Sequence, residues 1–122
     1  MVLRARSFVN ETDPIRRKMK ILKEILKNYE EWKVLVEEHG VLSLSIDGDE
    51  YHFHDILEGI ERLPPRQREA LWKLCIENKK EVEVAREMGF TRWSTPVQQY
   101  RNHGLFKLVK WHEEKKKARE EE

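Results

Sequence analysis

The stretch Leu63–Trp111, LPPRQREALWKLCIENKKEVEVAREMGFTRWSTPVQQYRNHGLFKLVKW, decides the fold, because apolar spacing and helix punctuation divide it into three helices. Pro64 and Pro65 cannot donate into a helical ladder, yet they pre-set the φ angle of a first turn, so the first helix is predicted to start near Pro65. Behind them Ala70, Leu71, Leu74, Cys75 and Asn78 recur at spacings of three and four, which makes one inward face, apolar until its last position. A second, short helix is predicted over about Glu81–Met88, with Val84, Ala85 and Met88 inward. Gly89, lacking a Cβ, can take the left-handed conformation that ends it. After the turn FTRWST, Thr95 and Pro96 read as an N-cap hydroxyl and a first helical residue, and a third helix follows.

With Val97 as reference and about 100° per residue, Tyr100, Gly104, Leu108 and Trp111 fall on its side of the third helix, with Leu105 at the margin. Opposite lie Thr95, Gln99, Asn102 and Phe106, flanked by Gln98, His103 and Lys110. A carboxamide offers a donor and an acceptor side by side, the pair adenine presents in the major groove, whereas Arg and Lys suit guanine or phosphate. The third helix is therefore expected to meet double-stranded DNA through Gln98, Gln99 and Asn102, with Arg92, Arg101 and Lys107 near phosphates. Ser94, Thr95 and His103 belong to the same expected interface. The alternative is that these are solvated polar residues and nothing more.

LPPRQREAL, the short helix ending AREMGF and the Thr91–Arg92 pair resemble region four of bacterial sigma factors, a promoter-recognising domain. Leu63, Pro64, Pro65, Arg66, Arg68, Glu69 and Leu71 match the family's opening block, and Gly89, Phe90, Thr91 and Arg92 match the end of its short helix. TRWSTPVQQYRNHGL is similar to small sigma-region-four-like proteins encoded by tailed bacteriophages. The resemblance implies a helix-turn-helix, a role as a DNA-binding transcription factor, and host RNA polymerase as a partner. Two departures limit it: the turn between Arg92 and Val97 is longer than the family's, and Gln98, Gln99 and Asn102 stand where the family carries charged base-contacting residues. A target sequence therefore does not carry over.

The 122 residues allow one domain, or one domain with a helical extension. Charged residues make up 39% of the chain, yet the net charge is only +1, and that total hides an asymmetry. Residues 11–62 hold 8 Lys and Arg against 13 Asp and Glu, while residues 63–112 hold 10 against 5. The basic half is the one expected to neutralise phosphates and release counterions. The single cysteine, Cys75, lies on an inward face and is expected to be a reduced core thiol. No apolar run approaches the ~18 residues of a membrane span, and MVLRARSFVN lacks the apolar stretch of a secretory signal. A cytoplasmic protein with no membrane partner is expected.

Residues 1–12 carry no periodicity and read as a flexible arm. Thr12, Asp13 and Pro14 then signal a helix start, and a long amphipathic helix is predicted to reach His39 and end at Gly40. Its stripe of Ile15, Met19, Leu22, Ile25, Leu26, Tyr29, Trp32 and Val36 needs a partner: the rest of the chain, a second copy in a homodimer, or a polymerase subunit. VLSLSIDGDEYHFH alternates Leu42, Leu44 and Ile46, turns at Asp47–Gly48, and alternates Tyr51 and Phe53, which predicts a β-hairpin lying on a helix. His52 and His54, with Asp47, Asp49, Asp55 and His39 nearby, are the cluster that invites a metal. Two His need a third ligand and the spacing fits no zinc pattern, so exposed strand residues are expected, with no metal and no cofactor. Asp55 reads as the N-cap of ILEGIERL, with Glu58 completing a capping box.

The whole is expected to be mainly α: a long helix, hairpin and short helix over 13–62, a helix-turn-helix unit with a long recognition helix over 63–112, and a fraying charged tail over 113–122. There is no phosphate-cradling glycine loop, nucleophile elbow or paired-His helix, so a non-enzymatic protein is expected. The alternative to a DNA reader is an adaptor that docks on host RNA polymerase or a viral assembly without specific DNA binding, for which an outward Phe106 would serve.

Overall fold

The first helix starts where its capping residues predict. Asp13 Oδ1 accepts from the backbone N–H groups of Ile15 and Arg16 at 2.9 and 3.1 Å, with Pro14 in the first helical position, so two donors left open by a first turn are satisfied. The computed structural model describes residues 2–4, 12–40, 43–46, 48–90 and 95–121. This helix, α1, spans Pro14–Lys27 and not the predicted run to His39. The chain breaks at Asn28 (φ −105°, ψ 28°), whose Nδ2 donates back to Glu24 O at 3.2 Å, and a second helix, α2, spans Tyr29–His39. Asn side chains compete for backbone groups in this way and interrupt helices. The break is also held from outside, since Asn78 Nδ2 donates to Lys27 O at 3.3 Å.

The two halves of the predicted stripe have different fates. Ile21, Leu22, Ile25 and Leu26 of α1 are buried in the chain's own core, whereas α2 has no fully buried residue and leaves Val34 49% exposed. A homodimer along one uninterrupted helix therefore lacks its rod.

Strands β2 (Ser43–Ile46) and β3 (Asp49–His52) form the predicted hairpin, with Leu44 opposite Tyr51 and Gly48 at φ +88° in the turn. Leu44, Ile46 and Tyr51 enter the core. The expectation of a loose arm is corrected at Val2–Arg4, a strand β1 that pairs parallel to β2 with Leu3 beside Leu44. The cap at Asp55 is corrected too. Helix α3 spans Phe53–Glu61 with His52 before it, so Asp55 lies inside its first turn, buried. Phe53 leaves the strand because its ring reaches the core from that turn, stacked 5.9 Å from Tyr29.

Helix α4 (Pro65–Leu71) starts at its prolines and passes into a wider π-helical turn, Trp72–Ile76, where Glu77 N–H donates to Trp72 O at 2.9 Å. The predicted face is buried at Ala70, Leu71, Leu74 and Cys75, joined by Ile76. Asn78, the polar end of that face, takes φ +55°, and Lys79 N–H closes on Lys73 O at 3.0 Å, a left-handed cap formed by Asn in place of Gly. Helix α5 spans Glu81–Glu87 and Gly89 follows at φ +88°. Helix α6 spans Thr95–Glu121, about 40 Å at 1.5 Å per residue.

Helices α1, α3, α4 and α5 pack on α6. Glycines allow two close approaches. A Cβ on Gly59 of α3 would lie 2.7 Å from Leu108 Cδ2, and one on Gly104 would lie 3.3 Å from Leu63 Cδ1 beside α4. The charged tail continues α6 to Glu121, with acidic side chains of β3 and α3 against its first turns: Lys115 Nζ lies 3.3 Å from Asp55 and 3.7 Å from Glu58, and Lys116 pairs with Asp49.

Candidate nucleic-acid interface

The outward side of α6 begins with its core. Val97, Gly104, Leu105, Leu108, Val109 and His112 are buried, and Tyr100 and Trp111 half-buried. The buried side is turned from the predicted direction toward Val109 and His112, and α1 packs on α6 in addition to α4. What remains is an exposed stripe of Thr95, Gln99, Asn102, His103, Phe106 and Lys107, continued by Lys110. Phe106 is 44% exposed, with Lys110 Nζ 5.8 Å from its ring.

Gln98 and Arg101 do not join that stripe. Gln98 Nε2 donates to Glu81 Oε2, and Arg101 Nη1 lies 3.4 Å from Glu81 Oε1. Glu81, in the first turn of α5, thus ties the start of α5 to the start of α6 across the connection between them. Arg101 Nε also donates to Asn102 Oδ1 at 3.2 Å, which leaves the Asn102 amide N–H groups directed elsewhere. At the other end of α5, Arg66 Nη1 donates to Met88 O at 3.1 Å while its guanidinium lies 5.6 Å from the Phe90 ring centroid. Arg66 so satisfies a carbonyl that the helix end leaves open. Arg92 and Ser94, also expected at the interface, lie outside the described residues.

Beside the stripe runs a groove that the amino-acid pattern gave no sign of. Asp13 and, from α1, Ile15, Arg16 and Met19 line it with Asn102, His103 and Phe106 of α6. The floor is apolar and the rim carries a guanidinium, an amide and an imidazole. Further along, Lys23 is held below its ordinary amine value by burial, then by the cations Arg101 and Lys27, so cations of α1 and α6 crowd together.

The metal expectation concerned His52 and His54. His52 Nδ1 lies 3.0 Å from Ser43 Oγ, and His54 has moved onto α3, exposed. His54, Asp55 and Glu58 could bring ligand atoms within 4.8 Å of one another, but the Lys115 ammonium stands beside both carboxylates and supplies the positive charge an ion would. Among the described residues no helix is long and apolar enough to cross a membrane.

No family model, curated protein or solved structure matches this chain.

Glu81 was missed in the sequence as the residue that orients Gln98 and Arg101. The approach of α5 to α6 is tertiary, and no periodicity within either helix reports it. The cations of α1 were hidden by averaging over residues 11–62: α1 carries six Lys and Arg against one Glu, and α2 one Lys against four Glu.

Proposed function

We propose that this chain is a non-enzymatic, sigma-region-four-like transcription factor of the bacterial cytoplasm. In it α5 and α6 act as a helix-turn-helix and α6 meets the major groove of double-stranded DNA. One observation carries this: Gln99, Asn102 and His103 stand exposed on a helix backed by α4 and tied to α5 through Glu81. A rigid helix with outward carboxamides can match a base edge without first ordering its own side. Thr95 and Lys107 flank those residues within reach of sugar and phosphate. Gln98 and Arg101 act indirectly, setting the rotation of α6.

The test is a fluorescence anisotropy titration with random and genomic duplexes over a salt series. Binding that weakens steeply with salt is expected, and absence of any such binding overturns the proposal. On a selected site Gln99→Ala should cost about 1–3 kcal/mol while leaving random-duplex affinity unchanged.

An alternative function, an adaptor docked on host RNA polymerase, is favoured by a separate observation. Phe106 and Val34 are exposed, and Trp32, Leu35 and Val36 of α2 are only partly covered. Phe106→Ala would then abolish capture of purified polymerase, with no duplex bound by either form.

A further inference from the structure

The charge of the amino-terminal half separates sharply at Asn28. On α1, Arg16, Lys20, Lys23 and Lys27 follow one another at spacings of four, three and four, so they form a straight ridge about 16 Å long on one helix face. Lys18 is not part of it, being directed to Asp49 and to Glu113 at 3.6 Å. The ridge borders the groove beside α6: Arg16 lines that groove with Asn102 and Phe106, and Lys23 feels the charges of Arg101 and Lys27. Arg16, Lys20 and Lys27 are exposed. Lys27 is shared with Glu24 at 3.2 Å in an exposed pair, the kind that exchanges readily for another anion.

We propose that this ridge on α1 is a second DNA-contacting element, which binds the phosphate strand bordering the groove that α6 enters. It rests on the duplex-reading role of α6. Packed helices lie 8–10 Å apart, and the major groove is about 12 Å wide, so a helix beside one seated in the groove falls over the adjoining backbone. A ridge of about 16 Å laid along that strand faces several successive phosphates. Crowding of Lys23 by Arg101 and Lys27 is relieved when an anion arrives. The ridge supplies affinity and register without sequence preference.

The experiment compares the wild type, Arg16→Ala/Lys20→Ala/Lys27→Ala, and a control of equal charge change away from the ridge, Arg62→Ala/Lys33→Ala/Lys117→Ala. Each is titrated with one random and one selected duplex over a salt series, after thermal unfolding has verified the fold. The ridge variant is expected to show a log–log salt slope shallower by about two to three, at about 0.9 per phosphate lost, with equal weakening on random and selected duplexes. A slope equal to the control's overturns the ridge and leaves the role of α6 standing. A wild type that binds no duplex overturns both.

Discussion

Glu81 shows how one side chain can set a surface that it does not join. Its two oxygens take Gln98 and Arg101, so the rotation of α6 about its axis is fixed at its first turns and Gln99 and Asn102 are left outward. Removing it leaves a largely covered guanidinium without its carboxylate. Glu81→Ala is expected to lower unfolding stability by about 1–2 kcal/mol, the range for a partly exposed charge-assisted bond, read as a shift of the urea midpoint without a change of slope. Glu81→Gln keeps an acceptor and should recover part of the loss. Gly59 acts by what it lacks. A Cβ there would meet Leu108 Cδ2 at 2.7 Å and the Trp111 ring at 3.0 Å, so Gly59→Val should destabilise by about 1–3 kcal/mol through overpacking, measured in the same titration.

At the scale of elements, the closing turns of α6 are an electrostatic assembly. Burial alone would raise the Asp49 carboxyl, but hydrogen bonds from Lys116 and Lys18 outweigh it and hold the group below its ordinary value of 3.8. A carboxyl lowered on folding stabilises fully above its unfolded value, and that contribution is lost as pH falls through the lower folded one. The stability difference between wild type and Asp49→Asn should therefore stay level from neutrality to about pH 4 and shrink below it, followed by chemical denaturation at each pH. The same elements show what the sequence could reveal. Starts marked by Asp13–Pro14, Pro64–Pro65 and Thr95–Pro96 were legible because capping is local. The break at Asn28 was not, since it is held by a bond from Asn78 to Lys27 O, fifty-one residues apart. Nor was the docked tail, whose lysines find their carboxylates only after β3 and α3 have folded against α6. At the site, the outward Gln99, Asn102 and Phe106 followed from periodicity, while the diversion of Gln98 and Arg101 followed from packing.

For the whole molecule, a net charge of +1 conceals a basic α1 beside α6 and an acidic α2 beyond Asn28. That separation gives the molecule a preferred side toward a polyanion, and electrostatic steering responds to such local fields more than to the total. We propose that the outward side of α6 is where duplex DNA is met. The most direct measurement is a heteronuclear NMR titration of the isotope-labelled full chain with a short duplex. Amide and side-chain carboxamide shifts are expected to concentrate at Thr95, Gln99, Asn102, His103 and Lys107 and to grow as salt is lowered. Shifts confined to α2, or none on α6 at any salt concentration, would contradict that proposal.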